Sequence, residues 1–562
     1  MAQPTAPTLD WQTLAASLSG PAVGGLNIAH AALDRPLAAG RGEAVAVRTP
    51  GRNGRSITYA ELADQAARVA TVLRDLGVRP GDAVAVLLGR VAELPAVALG
   101  IWKAGAVFCP LFPTLGPGPI EARLKLAGVR VLVADAGLYA RRVAPLRAGL
   151  PELGHVLLVG EGAGADGLAA RMEAAQPLAA CAATGPDDAA ILHFTSGTSG
   201  APKAVVHGHR VLLAQVASER AVFALKADDV FWCTADAGWA ASTYGLVVPL
   251  VAGCTMVLDE AAVDARRWYS ILRDEGVTAW YTTPTAIRVM MRHGAALARS
   301  YPANRLRVAA SIGEPLDAEA VAWGEKALGV PFLDTWWQTE TGAVTIANLS
   351  GDHRRPGSLG RPLPGATVAV VERGAGGFAE LPADRPGELA IRTDWAGLFS
   401  CYLGDEGRTR ACHADGWYLT GDLARRDADG FVWFLGRADD MIKSGAHHIG
   451  PFEIEAALMS HPAVAEAGVC ARPDPVLREV PVAFVVPAPG FDAGEALRRE
   501  LEAYSRRLLG PAMAPRELIF VEALPKTASG KMVRRILKAR AADPGEVDLP
   551  ALEPCPGLFE QE

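Results

Sequence analysis

Paired cysteines are missing from this sequence. Cys109, Cys181, Cys233, Cys254, Cys401, Cys412, Cys470 and Cys555 are scattered over 562 residues without a CxxC, and the closest grouping, Cys401 and Cys412 with His413, lacks metal-ligand spacing. A disulfide scaffold is thereby excluded, and reduced thiols packed inside a cytoplasmic protein are expected. A cationic excess is also missing. The net charge is −7, with 62 Asp and Glu against 55 Lys and Arg, so the basic footprint of a nucleic-acid binder is absent. Residues 240–258 carry no charge, but Gly245, Pro249 and Gly253 make them a poor membrane span. They read as a buried helix, a turn at Ala252-Gly253 and a strand. Met1-Ala2-Gln3-Pro4-Thr5 has neither a basic start nor an apolar core, so no secretory signal is expected. Lysine is scarce: only nine of the 55 cations are Lys and the rest are Arg. Where Arg is the default cation, a retained Lys can be needed for its compact ammonium.

Half of the residues are hydrophobic and 21% are charged, the balance of a globular chain too long for one core. Helical spacing marks residues 59–76, 93–104 and 121–127, and short apolar runs mark strands at 83–88, 106–110 and 129–134. That alternation predicts a parallel sheet covered by helices. Residues 161–190, rich in Ala and Gly, read as a surface connection. From about Gly357 short segments at 367–372, 387–392 and 431–434 are separated by Gly, Pro and Asp turns, the texture of a small antiparallel or barrel-like unit. A mixed α+β segment follows, with helices at 452–460 and 493–509 and strands at 464–469 and 481–486.

The sharpest local signal is Ile191-Leu-His-Phe-Thr-Ser-Gly-Thr-Ser-Gly-Ala-Pro-Lys203. An apolar strand enters a Gly, Ser and Thr loop that ends on one of the scarce lysines. Such a loop can aim N–H groups and hydroxyls at anionic oxygens, with the ammonium adding charge; a plain Ser/Gly turn is the other reading. It is not a Walker A loop, since no Gly-Lys-Ser/Thr follows Gly200.

Residues 195–203 resemble the phosphate loop of the AMP-forming acyl-CoA synthetase, luciferase and adenylation-domain superfamily. Further segments agree in order: Trp280-Tyr-Thr-Thr-Pro-Thr-Ala286, Ser311-Ile-Gly-Glu-Pro315, Asp334-Thr-Trp-Trp-Gln-Thr-Glu-Thr-Gly342, Gly416-Trp-Tyr-Leu-Thr-Gly-Asp422, Gly436-Arg-Ala-Asp-Asp440 and Leu524-Pro-Lys-Thr-Ala-Ser-Gly-Lys531. Residues 334–342, together with Cys233-Thr-Ala-Asp-Ala-Gly-Trp239, look most like acetyl-CoA synthetases. The resemblance implies an α/β fold with two parts. Residues 1–438 would form a large N-terminal portion of layered α/β subdomains, with a small β-barrel-like subdomain at about 357–438. Residues 439–562 would form a small mobile α+β C-terminal domain hinged at Asp439. It also implies ATP-dependent activation of a carboxylic acid as an acyl-adenylate, then transfer to a thiol, with ATP, Mg2+ and CoA as reactants and cofactor.

What the resemblance implies for individual residues is specific. Lys531 would be the catalytic cation bridging carboxylate and α-phosphate; a solvated Lys in a basic tail with Arg534, Arg535, Lys538 and Arg540 is the other reading. Lys203, with Thr195, Ser196, Gly197, Thr198, Ser199 and Gly200, would hold the β- and γ-phosphates. Gly313, Glu314, Pro315, Asp334, Thr335, Trp336, Trp337, Gln338 and Thr339 would contact the nucleotide, although Trp336 also fits simple core packing. Asp422 and Arg437 would take the ribose, and Glu340 the Mg2+. Trp337 would floor an acyl pocket walled by Trp239, Ala240, Ala241 and Ile312. Ala240 and Ile312 replace the usual Val in opposite size directions. One methylene is worth roughly 0.8 kcal/mol, so a short acid of two to four carbons is expected without sharp choice between acetate and propionate.

The C-terminal part departs from the acetate pattern. Ala446, beside Gly445 in the presumed CoA tunnel, replaces a Gly; His448 replaces a phosphate-reaching Arg; Ala528 replaces another Arg. These changes bear on the acceptor, which is CoA or else a carrier-protein phosphopantetheine. A non-catalytic nucleotide-binding relative fits poorly with retention of Lys203, Glu340, Asp422 and Lys531. Lys531 is also a candidate target of a lysine acetyltransferase and deacetylase, since acetylation removes its charge. No nucleic-acid or membrane partner is expected.

Overall fold

Thr58 starts a helix by a local rule. Its side chain accepts from the backbone of Glu61, and the Glu61 carboxylate accepts from the Thr58 N–H at 2.7 Å, a capping box that satisfies two orphan donors. The helix that follows, Tyr59–Asp75, buries Leu62, Ala66, Val69, Ala70 and Leu73 on one face. In this computed structural model such helices alternate with short strands. The structure describes residues 9–20, 25–51, 54–164, 167–196, 202–261, 263–349, 351, 354–374, 377–444, 447–510, 513–526 and 532–542. The chain forms two compact units, Met1–Thr367 with Ile391–Tyr418, and Val368–Ala390 with Leu419–Glu562.

The first unit is built on two sheets. One has seven strands in the order Cys401–Tyr402, Pro202–Gly208, Ala189–Ser196, Val107–Pro110, Ala83–Leu87, Val131–Asp135 and His155–Val159. The last five run parallel, and the first two join antiparallel. The other has nine strands, with Val45–Arg48, Thr255–Val257, Val230–Cys233, Ala279–Thr282, Val308–Ser311 and Phe332–Trp336 parallel at its centre. Antiparallel strands close both edges. The layered α/β expectation is borne out, with element ends shifted by a residue or a few.

Two details qualify the sequence reading of this unit. Residues 240–258 do fold as the helix Ala240–Ala252 and the strand Thr255–Val257, divided by Gly253 at φ +79°, a left-handed position that glycine adopts without a Cβ penalty. Among the described residues no helix is long and apolar enough to cross a membrane. Residues 161–190 are more than a connection. They carry the helix Leu168–Ala174, whose end is tied to the first long helix by the Arg68 guanidinium donating to the Ala175 carbonyl at 2.7 Å.

In the second unit, Val368–Gly374 pairs antiparallel with Gly377–Glu380, and residues 422–426 pair with Val432–Arg437. Farther along, the long hairpin Val464–Asp474 and Arg478–Pro487 is joined by Ile442–Ser444, His447–Ile449 and, in parallel, Glu517–Phe520. Helices Pro451–Met459 and Glu495–Leu509 contribute Ile454, Leu458, Leu497 and Leu501 to its core. The strand Glu517–Phe520 and the helix Arg534–Ala542 have no counterpart in the sequence reading.

Candidate functional site

The flanks of the Gly-rich loop form an antiparallel pair in which Thr195 lies opposite Lys203 and Ser196 opposite Pro202. Gly197, Thr198, Ser199 and Gly200 lie outside the described residues. The Lys203 ammonium sits 5.4 Å from the centre of the Tyr402 ring, within cation–π range. Tyr402, on the neighbouring strand opposite Val205, donates its hydroxyl hydrogen to Glu340 Oε1 at 2.7 Å. Burial and the Glu340 carboxylate both push the Tyr402 phenol far above its ordinary range, so it stays a donor. The structure thus brings Lys203 and Glu340 together through a tyrosine that sequence reasoning passed over.

Glu340 belongs to a tight turn, Thr339–Thr341, closed by Gly342 at φ +68°. A Cβ at Gly342 would lie 2.4 Å from the Gly397 carbonyl oxygen, so no other residue fits. The Phe399 N–H donates to the Glu340 carbonyl at 2.8 Å, and His207 Nε2–H donates to the Thr339 carbonyl at 2.7 Å. Burial pulls the His207 imidazole down to about 4, which keeps it neutral. Tyr418 donates to Gln338 Oε1 at 2.9 Å. Among the described residues no group of three or more His, Cys, Asp or Glu could cage a metal by itself. The buried Glu340 carboxylate, joined to Lys203 through Tyr402, fits Mg2+, which keeps waters and takes one or two carboxylates plus substrate phosphates.

The segment expected around adenine is held from behind. Asp334 is buried, with Ser311 Oγ 3.4 Å from Oδ1 and the Leu316 N–H donating to Oδ2 at 3.3 Å. Burial pushes its carboxyl up to about 8. Asp334 therefore fastens the 313–316 turn, where Gly313 is exposed at φ +99°. Glu314 accepts from Thr285 Oγ1 at 2.5 Å and from Arg288 Nη1 at 3.2 Å, while Pro315 is half-buried. Trp336 is buried at the end of its strand, which accords with the packing alternative.

Of the presumed acyl wall, Trp239 caps the helix Ala240–Ala252 and packs edge-on against Phe112, ring centres 5.4 Å apart. Ala241, Ile312 and Trp337 are buried and Ala240 is partly so. Trp337 leans on Tyr244, four residues beyond Ala240 and on the same helix, at 5.8 Å. Its indole N–H donates to Tyr281 Oη at 3.0 Å. Phe112, Tyr244 and Tyr281 were not anticipated. Two sequence signals were available for them: the helical step from Ala240 to Tyr244, and the place of Tyr281 in the Trp280–Ala286 motif.

In the second unit Asp422 and Arg437 are direct register partners. Arg437 Nη1 donates to Asp422 Oδ1 at 2.6 Å and to the Thr420 carbonyl at 3.2 Å. Asp439 lies in the turn Ala438–Asp440, and His448 pairs in register with Lys443. Gly445, Ala446, Ala528 and Lys531 lie outside the described residues. The segment 527–531 is bracketed by a bridge between Lys526 and Met532, and Lys526 Nζ meets Glu466 Oε2 at 2.7 Å. Arg534 is no tail residue. Its Nη2 donates to the buried carboxylate of Glu455 at 2.8 Å and its Nη1 to the Val469 carbonyl at 2.6 Å. Lys538 reaches Asp440 at 3.3 Å. The basic-tail reading fails for these two residues because buried acceptors fix the helix that carries them.

The AMP-binding enzyme family model matches residues 35–403, and that of the AMP-binding enzyme C-terminal domain matches residues 453–531. The chain is 36% identical over 554 residues to the acetyl-coenzyme A synthetase of Bacillus subtilis (strain 168), covering 96% of this chain and 94% of that one. Identity to the acetyl-coenzyme A synthetase of Pyrobaculum aerophilum is also 36%, covering 94% and 85%. Among solved structures it is similar to the anthranilate CoA ligase AuaEII in complex with anthranoyl-AMP, with TM-score 0.85 and 28% identity over 95% of this chain and 99% of that one. It is also similar to an acyl-CoA synthetase of Brucella canis, with TM-score 0.73 and 35% identity over 95% and 97%.

Proposed function

This chain belongs to the AMP-binding enzyme family, and we propose that it is an AMP-forming acid–thiol ligase that joins a short-chain carboxylic acid, of acetate to butyrate size, to CoA. The acid's carboxylate attacks the α-phosphorus of ATP and pyrophosphate leaves. The CoA thiol then attacks the acyl carbon of the adenylate, expelling AMP and leaving a thioester. A carboxylate is a weak nucleophile, so the first step depends on charge stabilisation around the phosphates.

The observation that carries this reading is the meeting of Lys203 and Glu340 at Tyr402, one over its ring and the other on its hydroxyl. Lys203 and the loop hydroxyls hold the β- and γ-phosphates. Glu340 would hold Mg2+, whose charge would offset that of the phosphates. Asp422 and Arg437 hold the ribose, Lys531 draws carboxylate and α-phosphate together, and Trp337 limits acid length. The domain division at 438/439, with Asp439 as hinge, is supported by the two family matches, which end at 403 and resume at 453. Similarity to CoA ligases over nearly the whole chain favours CoA over a carrier-protein phosphopantetheine. A cytoplasmic setting suits the seven described cysteines, all free.

The test is an acid panel from acetate to octanoate, with branched and hydroxylated acids, read by acid-dependent ATP–pyrophosphate exchange and by CoA-dependent AMP release. Exchange with short acids and AMP release stimulated by CoA are expected. Exchange without any CoA stimulation would transfer the assignment to a carrier-loading enzyme. Acetylation of Lys531 by a lysine acetyltransferase, reversed by a deacetylase, would switch off adenylation. Chemically acetylated enzyme that retained its full exchange rate would exclude that control.

A further inference from the structure

Trp337 is held by a directed chain of hydrogen bonds. Its indole N–H donates to Tyr281 Oη at 3.0 Å, Tyr281 Oη lies 2.9 Å from Thr335 Oγ1, and Thr335 Oγ1 lies 2.6 Å from the Ser311 carbonyl oxygen. A carbonyl only accepts, so the single Thr335 hydroxyl hydrogen is committed to Ser311. Thr335 Oγ1 must then accept from Tyr281, which leaves Tyr281 Oη to accept from Trp337. Each group has one geometrically consistent role, and all four residues are buried.

The chain is built from neighbouring parallel strands. Tyr281, Ser311 and Thr335 stand near the carboxyl ends of Ala279–Thr282, Val308–Ser311 and Phe332–Trp336, the end of an α/β sheet at which ligands bind. On its other side the Trp337 ring rests against Tyr244, on the helix that also supplies Ala240 and Ala241. An indole has only two side-chain torsions. Rotation of either would strand a buried N–H without an acceptor, which is costly in a dry site.

We propose that Tyr281 is a positioning residue that sets acid chain length by locking the Trp337 ring as the floor of the acyl pocket. This rests on the reading of Trp337 as that floor. Tyr281 touches neither acid nor nucleotide in this role. It works by denying the ring the rotation that would open the pocket to a longer acid.

The experiment measures kcat/KM for butyrate and for acetate in ATP–pyrophosphate exchange at saturating ATP, so that nucleotide effects cancel in the ratio. Tyr281→Phe should raise the butyrate-to-acetate ratio about fivefold or more, because its ring remains while the acceptor is lost. In a Trp337→Phe background, which has no indole N–H, adding Tyr281→Phe should change the ratio less than about twofold. A Tyr281→Phe ratio within about twofold of the parent overturns the proposal, as does an equal effect in both backgrounds. Should Tyr281→Phe not fold, 3-benzothienylalanine in place of Trp337, which keeps the shape of the indole and lacks the N–H, removes the same bond from the donor side; a raised ratio is expected, and an unchanged one overturns the proposal. Trp337→Gly separates the two levels of inference. If it admits longer acids while Tyr281→Phe does nothing, the lock fails and the floor stands. If it admits none, the floor assignment itself fails.

Discussion

Asp422 and Arg437 face each other across an antiparallel strand pair, and the guanidinium of one donates to the carboxylate of the other at 2.6 Å. The carboxylate side chain is 6% exposed and the guanidinium 40%. Arg437 therefore orients a buried acceptor while itself remaining partly exposed. Under the proposed function both serve the ribose.

Arg437→Met should accordingly raise KM for ATP about tenfold and also lower stability, since the buried Asp422 carboxylate loses a charged donor. ATP titrations in the exchange assay and a urea melt read the two effects. An unchanged KM would remove Arg437 from the nucleotide site.

Tyr402→Phe tests the junction of Lys203 and Glu340, the proposed phosphate and Mg2+ residues. The ring under Lys203 remains, while the hydroxyl bond to Glu340 is lost. The Mg2+ concentration for half-maximal exchange should rise about three- to tenfold, with KM for the acid unchanged. A proportional loss at every Mg2+ concentration would point to misplacement of Lys203 instead.

Buried titratable groups give stability a pH dependence that single variants can isolate. Burial holds Asp334 at about 8, above its unfolded value, so its protonated form favours folding. That contribution is full below about pH 4 and is lost as pH rises through 8. Asn reproduces the neutral carboxyl, accepting from the Leu316 N–H through Oδ1 and meeting Ser311 Oγ through Nδ2. The stability of Asp334→Asn relative to the parent should climb by several kcal/mol from pH 4 to pH 8 and then level off. A flat difference would show the carboxyl to be ionised in the fold.

His209 has the opposite sign. Its Nδ1 accepts from the Ile28 N–H at 3.2 Å, and burial pulls the imidazole down to about 4. The neutral ring favours folding above about pH 6.5, and that contribution is lost as pH falls through 4. His209→Asn keeps an acceptor for Ile28 and does not titrate. Urea melts should show the parent losing more stability than the variant between pH 6.5 and 4.

Glu455 and Arg534 anchor the last described helix, with Glu455 Oε1 also accepting from the Val469 N–H at 2.7 Å. Removing one partner of a buried pair leaves the other charge uncompensated. Glu455→Gln should cost about 3–5 kcal/mol, and Glu455→Leu with Arg534→Met clearly less than either change alone. Urea denaturation checks both.

Near-neighbour physics was legible in the chain itself. The Thr58 and Glu61 cap, the periodic face of Tyr59–Asp75, the turn at Gly253 and the Gly-rich loop opening after Ser196 all arise within a few residues. The family's motifs were readable for the same reason, since each is a short contiguous segment. The sequence by itself therefore determined most of the regular elements of the first unit and the family of the chain, but not the helix Leu168–Ala174, the strand Glu517–Phe520 or the helix Arg534–Ala542. Only the tertiary structure decided that Tyr402 joins Lys203 to Glu340, that Tyr281 holds Trp337, and that Arg534 pairs with the buried Glu455 rather than standing in solvent. Those partners stand far apart in sequence, and no local period or propensity records which buried donor will find which acceptor. Strand order and the demand that buried polar groups be paired select them.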